Sequence, residues 1–466
     1  MKTIAIIGGG ITGLTAAYHI QQKIQTGAFQ ARIILIEAQP HLGGKIQSLH
    51  RSGYIMETGA DSIVSRKMAD STYIDQLGLQ DQVVYNATGR SFLYLDGKLR
   101  PIPEDTVFGI PMGVESLAKS ELISAEGKVE ALKDLYMPNE TFTVHDSVGR
   151  FLRHFLGEEL VSRQIAPVLS GVYSGSLDEL TLASTMPYLL DYKNEYGSIM
   201  QGLAANKSKF TSGEGKFISF SHGLSVMIDR LEGLLTDVDI HKGVKAERIV
   251  RREGRYRIEL SGGEWLEADH AILGVLHPQA KVLLGDQRLD EWFDQIATNS
   301  LISVYLGFDV PDDILPEEGT GFIVAEGDDL RCSACTWTSR KWSHTSAGNR
   351  LLVRSFYKSS NPHFPALSHM DDEELIRTAC RDIEISLGIR DNPVTHAVTR
   401  WQDSMPVYHI GHRGVVDRLE EELRHHYPGV LLAGCSYHGV GIPDCIQSGE
   451  RAAQLVTELA GDQNRS

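Results

Sequence analysis

The sequence predicts an α/β protein with a Rossmann-type nucleotide-binding domain and an α+β second lobe built on a mixed sheet. Three observations predict this class. A strand, a glycine-rich turn and a helix open the chain; strand-like segments recur through its second half; and a buried strand with another glycine-rich turn precedes the last helix. The chain therefore leaves a nucleotide-binding domain, builds a second lobe and returns.

The first element is a βαβ unit. It consists of a strand at Thr3–Ile7, a helix from about Thr12 to Gln25 and a strand at Arg32–Glu37. Its turn carries the pattern G-x-G-x-x-G at Gly8, Gly10 and Gly13, which permits a tight turn and brings a pyrophosphate to the helix N-terminus. Glu37 ends the next strand, where a carboxylate accepts hydrogen bonds from ribose hydroxyls. The unit therefore predicts a dinucleotide site.

Two further glycine motifs shift the prediction from NAD to FAD. Leu42-Gly43-Gly44-Lys45 adds a glycine pair that NAD-binding units do not need. Glu57-Thr58-Gly59-Ala60-Asp61-Ser62 adds a close-approach glycine where backbone would pass the flavin, although an ordinary turn between strands is the alternative.

The end of the chain predicts a second anion-binding helix start. The segment Gly429–Gly434 is apolar and strand-like, and a glycine-rich turn and the helical run Ile446–Ala460 follow it. Pro443 suits a first helical position. We expect this turn to face the ribityl phosphate and the pyrimidine edge of the flavin.

The central part of the chain divides into a helical region and a strand-rich region. Residues 115–205 carry helical periodicity, as in Val148, Phe151 and Leu152. Strands are then expected at Arg255–Leu260, Ala268–Val275, Ile302–Phe308, Gly321–Val324, Cys332–Thr338 and Leu351–Tyr357, the first two joined by a turn at Ser261–Gly263. We expect an FAD-binding domain at 1–75, 215–280 and 425–466, a substrate-binding domain at 76–114 and 281–424, and a helical insertion at 115–214.

Composition excludes several classes. The formal net charge of −16 disfavours nucleic acid, whose binding depends on clustered cations. Five scattered cysteines predict a reducing cytoplasm, and Cys332 with Cys335 makes a poor zinc site, so no metal is expected. We expect no export signal and no spanning helix, while peripheral membrane contact stays open.

The glycine pair after Glu37, the dipeptide Arg400-Trp401 and the C-terminal glycine turn resemble the flavin amine oxidase superfamily. Four longer motifs are more specific: Asn86-Ala87-Thr88-Gly89, Leu169-Ser170-Gly171-Val172-Tyr173-Ser174-Gly175, Ala334-Cys335-Thr336-Trp337-Thr338 and the segment from Gly434 to Cys445. Within the superfamily, these motifs resemble the porphyrinogen oxidases of haem synthesis, above all the soluble type of Gram-positive bacteria that acts on coproporphyrinogen III.

The resemblance implies a set of FAD contacts. They are Gly8, Gly9, Gly10, Ile11, Thr12, Gly13, Glu37, Ala38, Gly44, Lys45, Gly59, Ala60, Asp61, Ser62, Ala246, Trp401, Gly434, Gly441, Ile442 and Pro443. Ala246 stands where the family usually has a valine that contacts adenine through its backbone. For the substrate the resemblance implies Arg66 and Lys67 at the pocket mouth, suited to propionates, with Val172 and Tyr173 lining the pocket. A solvated surface pair and core packing are the respective alternatives.

The resemblance also implies the reaction. FAD oxidises coproporphyrinogen III to coproporphyrin III in three two-electron rounds, and dioxygen takes the electrons to give hydrogen peroxide. We assign no catalytic residue, because His409, His412 and His438 are typical of structural histidines and Asp444 favours the last helix start.

Other functions remain as alternatives. Protoporphyrinogen IX oxidase is the nearest, and flavin amine oxidase, carotenoid desaturase and a non-enzymatic FAD-fold binding protein are more distant. A haem-pathway chelatase is a hypothetical partner, since the product is reactive.

Overall fold

The computed structural model describes residues 1–69, 71–87, 90–172, 177–178, 180–183, 185–210, 215–316, 319–325, 327–409 and 411–462. A five-stranded parallel sheet forms the core of the nucleotide-binding part, as the βαβ unit predicts. In spatial order its strands are Val238–Lys242, Ala31–Glu37, Lys2–Ile7, His270–Leu273 and Val430–Leu432. They come from three separate stretches of the chain. The domain boundaries themselves stay a prediction.

Both faces of this sheet are covered, which explains its apolar strands. The helices Ile11–Gln25 and Ile442–Asp462 pack on one face, where Ile4 and Ile6 point. The other face, which carries Ala5, packs against a three-stranded antiparallel sheet and a neighbouring helix. That sheet consists of Ala246–Arg252, Arg255–Leu260 and Trp265–Ala268, and the helix is His277–Leu284.

One predicted strand was wrong. The segment Ala268–Val275 is divided at Asp269 between Trp265–Ala268, which pairs antiparallel with Arg255–Leu260, and His270–Leu273 of the parallel sheet. The Asp269 carboxylate accepts a hydrogen bond from the Thr3 N–H at 2.8 Å and thereby ties this crossing point to the first strand. The predicted turn at Ser261–Gly263 therefore leads into Trp265–Ala268.

The second lobe is built on a seven-stranded mixed sheet. In spatial order its strands are Thr395–Pro406, Thr298–Pro311, Arg350–Lys358, Ala334–Trp337, Gly319–Val324, Arg90–Leu95 and Lys98–Pro101. Only the pair Gly319–Val324 and Arg90–Leu95 runs parallel among the described strands of this sheet. The mixed sheet of the α+β lobe is thus confirmed, although the strand Thr395–Pro406 was not predicted.

In the described part of the chain, short strands form three further small sheets. Ser48–Arg51 pairs with Tyr54–Glu57, Thr106–Val107 pairs with Ile110–Pro111, and Phe217–Phe220 lies between Ile63–Val64 and Val83–Tyr85.

The region between 112 and 216 holds helices, and its described residues form no strand beyond an isolated bridge. The helices are Val114–Lys119, Ala125–Ala131, Val148–Leu156, Glu158–Leu160, a π-helical turn at Val161–Ile165, Ala166–Val172, Pro187–Tyr196 and Ile199–Ala205. Phe151, Leu152 and Phe155 point into their common core. The helical periodicity predicted from the sequence is therefore confirmed.

The remaining helices cover the sheets and their edges. They are Tyr73–Gln76, Ser225–Leu234, Gln287–Phe293, Thr338–Lys341, Phe364–Leu367, Asp372–Leu387 and His412–His426. Within the described ranges, every helix is too short or too polar to cross a lipid bilayer.

Candidate active site

The first glycine turn forms a cradle at the carboxyl end of the first strand. The Gly9 N–H donates to Glu37 Oε2 at 2.7 Å, so the carboxylate lies against the turn. A Cβ on Gly13 would collide with the Gly8 carbonyl oxygen, because the helix packs tightly on the strand there. A Cβ on Gly10 would instead meet no described atom within 4 Å. The turn is therefore tight on one side and open on the other, as the approach of a pyrophosphate requires.

The helix that follows offers unsatisfied donors to this open side. It begins at Ile11, and among the described residues neither a side-chain cap at Gly10 nor an acidic residue in the first turn competes for its N–H groups. Such a helix start carries a partial positive charge and binds anions. The residues present thus fit the diphosphate of FAD.

The second glycine pair lies beside the first turn. The Gly43 N–H donates to the Gly9 carbonyl at 2.8 Å. Next in the chain, the Lys45 Nζ donates to the Ser404 carbonyl and lies 3.8 Å from the Cys435 sulfur. Lys45 therefore joins the first turn, the end of a second-lobe strand and the C-terminal turn.

The segment from Thr58 to Ser62 is held by side chains from the second lobe. The Trp401 Nε1 donates to the Thr58 carbonyl at 3.1 Å. The Arg354 Nη2 donates to the carbonyls of Thr58 at 3.2 Å and Gly59 at 3.1 Å. The Ala60 N–H donates to the Lys45 carbonyl at 2.9 Å. These contacts bring Trp401, Lys45 and Gly59 together, as the predicted flavin contacts require.

Arg354 was missed by the sequence analysis. Its side chain is only 2% exposed and stacks on Tyr305, with 5.0 Å between guanidinium carbon and ring centre. Burial opposes ionisation of Asp61, yet Lys341 and Arg354 outweigh it and lower the pKa of that carboxyl. An arginine in the middle of the apolar strand Arg350–Lys358 was the available signal, since a buried cation needs dedicated partners.

The C-terminal turn closes the cradle against the first helix. The Gly434 N–H donates to Ser448 Oγ at 2.9 Å, and a Cβ on Gly434 would lie 3.3 Å from Thr12 Oγ1. The helix begins at Ile442 and has Pro443 in its first turn, while the Gly441 N–H donates to Asp444 Oδ2 at 3.1 Å. A helix thus begins beside Pro443, as predicted, four residues before the predicted run Ile446–Ala460, and its binding of an anion stays a prediction.

The adenosine side of the predicted site lies beyond Glu37. The Glu37 Oε1 accepts a hydrogen bond at 2.8 Å from the N–H of Gln39, which follows Ala38 in the chain. The Glu37 carbonyl accepts from the Val244 N–H at 3.0 Å, just before the strand that starts at Ala246. Glu37, Ala38 and Ala246 are thus brought close together in the fold.

The predicted substrate residues have mixed surroundings. Arg66 and Lys67 lie on the short 3-10 turn Ser65–Lys67 and are exposed, but Lys67 Nζ contacts both carboxylate oxygens of Asp444, at 2.7 and 2.8 Å. Val172 ends the helix Ala166–Val172, and its side chain lies outside the described part, as does all of Tyr173.

The histidines near the C-terminal turn have structural partners. His438 Nε2 lies 2.9 Å from Glu420 Oε1, and His409 Nε2 lies 2.9 Å from the Gln295 carbonyl. His412 is buried against the Tyr408 ring, and burial lowers the pKa of His412 to about 4.

The fold and the two-turn cradle define an FAD-dependent oxidoreductase. The chain belongs to the family of flavin-containing amine oxidoreductases, whose sequence profile matches residues 11–457. Within the family it is 34% identical over 457 residues to the coproporphyrinogen III oxidase of Bacillus subtilis (strain 168), with 97% of both chains covered. It is 31% identical over 470 residues to the coproporphyrinogen III oxidase of Staphylococcus aureus (strain NCTC 8325 / PS 47), covering 98% of this chain and 100% of that protein. The predicted family, cofactor and enzyme class are therefore confirmed.

Solved structures agree on the fold. An Exiguobacterium sp. 255-15 protein, provisionally named protoporphyrinogen oxidase, superposes with a TM-score of 0.89 at 33% identity and covers 98% of this chain and 99% of its own. Reduced UDP-galactopyranose mutase superposes with a TM-score of 0.73 at 16% identity, covering 98% and 96%, and shares the fold alone.

Proposed function

We propose that this flavoenzyme oxidises coproporphyrinogen III to coproporphyrin III and reduces dioxygen to hydrogen peroxide. The observation that carries the proposal is full-length identity of 34% and 31% to two coproporphyrinogen III oxidases, compared with 26% to the human protoporphyrinogen oxidase. Each porphyrinogen loses six electrons and six protons, so three molecules of dioxygen give three of hydrogen peroxide. When bound, FAD accepts the electrons two at a time and passes them to dioxygen.

The residues proposed to hold FAD follow the two glycine turns. The turn Gly8–Gly13 and the helix start at Ile11 hold the diphosphate, and Glu37 with Ala38 and Ala246 holds the adenosine. The flavin side falls to Gly44, Lys45, Gly59, Ala60, Asp61, Ser62, Trp401, Gly434, Gly441, Ile442 and Pro443. The support is the open side of Gly10 and the contacts that join these segments: Gly9 with Glu37, Gly43 with Gly9, and Lys45 with Ala60 and Cys435.

The role of the second lobe is to fix the segment that faces the flavin. Arg354 and Trp401 both donate to the Thr58 carbonyl, and Arg354 also donates to the Gly59 carbonyl, so Gly59 cannot shift without breaking partly buried hydrogen bonds. Lys341 lies 3.3 Å from Asp61 and holds it as an anion. We expect this fixed segment to orient the reacting C–H bond of the substrate. Orientation of this kind requires no protein base.

Arg66 is the proposed contact for a substrate propionate. It is exposed, whereas the Lys67 ammonium is engaged by Asp444 and would have to leave that ion pair. An exposed guanidinium at the proposed pocket mouth suits steering of a tetra-anion.

The test is turnover of FAD-loaded protein on coproporphyrinogen III and protoporphyrinogen IX side by side, with porphyrin fluorescence and peroxide followed together. We expect faster turnover of the tetrapropionate and three peroxides per porphyrin. A preference for protoporphyrinogen IX overturns the substrate assignment, and peroxide from putrescine alone would favour an amine oxidase. Bound FAD without turnover of any of these substrates would favour a binding protein.

We also propose a cytoplasmic location and delivery of the product to a chelatase. All five cysteines are free thiols, which supports the location. Delivery is motivated by the reactivity of the product alone, and an unchanged rate of metal insertion on mixing the two enzymes would contradict it.

A further inference from the structure

Two cysteines face each other across the C-terminal turn. Cys435 directly follows Gly434 at the end of the strand Val430–Leu432, and Cys445 lies in the first turn of the helix Ile442–Asp462. The Tyr408 hydroxyl donates to the Cys435 carbonyl at 2.9 Å and accepts from the Gly439 N–H, and the Cys445 thiol donates to the Gly439 carbonyl at 3.7 Å. Both cysteines thus belong to one hydrogen-bonded cluster, in which their side chains interact. The nine residues between them form the glycine-rich turn and the start of this helix.

The two sulfurs have different surroundings. Cys435 is partly exposed and lies 3.8 Å from the Lys45 ammonium, whereas Cys445 is only 7% exposed and lies 3.7 Å from the Gly439 carbonyl. The hydrogen bond from Cys445 and the charge of Lys45 lower the pKa of Cys435, and the same contact raises the pKa of Cys445. The Lys45 ammonium therefore favours the thiolate form of Cys435, and the Gly439 carbonyl favours the protonated form of Cys445, as expected for an attacking and a resolving cysteine.

We propose that Cys435 and Cys445 form a peroxide-oxidisable dithiol that closes to a reversible disulfide. The Cys435 thiolate attacks one oxygen of hydrogen peroxide, the O–O bond breaks, and the departing hydroxide takes up a proton to leave as water. The Cys445 thiol then attacks the Cys435 sulfenic sulfur, the S–O bond breaks, and hydroxide leaves with the thiol proton as a second water. Overall, two thiols are oxidised and one peroxide is reduced to two waters.

The proposal rests on the proposed function only for the source of peroxide inside the cell. Peroxide released at the flavin would form close to this pair, since Cys435 lies beside Lys45 and Cys445 lies at the start of the last helix, both of which are proposed to contact the cofactor. The other cysteines are worse targets. Cys332 and Cys335 are buried, and burial raises the pKa of Cys335 to about 12. Cys380 is partly exposed, and burial raises its pKa as well.

The experiment treats FAD-loaded protein with added hydrogen peroxide, so it needs no substrate turnover. Samples are alkylated in denaturant without reductant and digested with trypsin, which leaves both cysteines in one peptide, residues 425–451. We expect this peptide to become unalkylatable and two hydrogen atoms lighter, at least tenfold faster than Cys380 is oxidised. Dithiothreitol should restore both thiols.

Two variants separate the roles of the sulfurs. Cys445→Ser should stop at a sulfenic acid on Cys435 that dimedone traps, whereas Cys435→Ser should give neither adduct nor disulfide. Cys380→Ser is the matched control and should react like the wild type. Retained flavin absorbance shows that each variant is folded.

Oxidation of Cys435 no faster than Cys380, or without a link to Cys445, overturns the proposal. Failure of porphyrinogen turnover with normal disulfide formation would instead overturn the proposed function alone. The two failures are therefore distinguishable.

Discussion

At the scale of single residues, alanine substitutions on the two sides of the first glycine turn should have different effects on stability. Gly13→Ala places a Cβ against the Gly8 carbonyl, so strand and helix must separate. We expect it to destabilise even the FAD-free protein by about 2 kcal/mol or more, as overpacking does. Gly10→Ala meets no described atom, so we expect a cost of about 1 kcal/mol or less without FAD.

The same pair separates folding from cofactor binding. Since the new methyl of Gly10→Ala would occupy the open side of the turn, we expect it to weaken FAD affinity by about tenfold or more, equivalent to about 1.4 kcal/mol. Urea unfolding of the FAD-free proteins and titration with FAD measure the two quantities. Normal FAD affinity in Gly10→Ala would contradict the placement of the diphosphate.

Arg66 and Lys67 are neighbours with different expected roles. Because Lys67 is paired with Asp444 and Arg66 is exposed, Arg66→Gln should raise KM for coproporphyrinogen III several-fold with little change in kcat. The effect should shrink at high salt, as for a steering charge. Lys67→Gln is the matched control. It should leave KM nearly unchanged and cost up to about 1 kcal/mol of stability. The reverse order of the two KM effects would contradict the assignment.

At the scale of elements, a buried ion pair holds the helical region together. Lys193 on the helix Pro187–Tyr196 lies 3.0 Å from Asp134, with both side chains fully buried. Asp134 also accepts from Ser198 Oγ at 2.6 Å and from the N–H groups that start the helix Ile199–Ala205. The carboxylate thus joins three elements.

Removal of the cation should therefore destabilise this region strongly. Lys193→Met leaves Asp134 buried without its counter-ion, and we expect a loss of about 3 to 5 kcal/mol in the free energy of unfolding. Lys119→Met breaks an exposed pair with Glu115 and should change stability far less, because solvent screens that pair. Urea unfolding of both variants provides the comparison. Equal losses of stability in the two variants would show that the contribution of an ion pair does not depend on its burial.

The elements also show where prediction from the sequence succeeds. The first βαβ unit and the helical region follow local periodicity, and their bounds agree with the structure within a few residues. The strand predicted at Ala268–Val275 was wrong because two strands of different sheets follow each other with only Asp269 between them. Periodicity reports that a segment is extended, but a change of sheet depends on partners far along the chain.

At the scale of the whole molecule, the candidate site joins parts that no local pattern connects. Glycine turns are visible in the sequence because their backbone geometry restricts the residue type. The partners of Arg354 and the pairing of Lys67 with Asp444 could not be found in this way, since the paired residues lie nearly 300 and nearly 380 residues apart. Such contacts are set by how the two sheets meet, which a sequence pattern does not encode.

The stability of the whole molecule should decrease both at low pH and at high pH. Burial lowers the pKa of His277 and His412 to about 4, so their contribution is present above pH 6.5 and is lost as pH falls through 4. Glu57 acts in the opposite direction. Burial raises its pKa from 4.5 to about 7, against hydrogen bonds from Leu224 and Ser48, so its contribution is present below pH 4.5 and is lost as pH rises through 7.

Glu57→Gln isolates the second of these effects. The Glu57 side chain is only 5% exposed and accepts a hydrogen bond from the Leu224 N–H at 2.7 Å. An amide oxygen can accept the same hydrogen bond. Because the amide does not ionise, we expect the variant to resemble the wild type near pH 5 and to be more stable at pH 8, by about 3 kcal/mol at most. Glu115→Gln removes an exposed carboxyl and should shift stability equally at both pH values. Denaturant unfolding between pH 5 and 8 measures the difference, and parallel curves for wild type and Glu57→Gln would show that Glu57 is already ionised in the folded protein at pH 5.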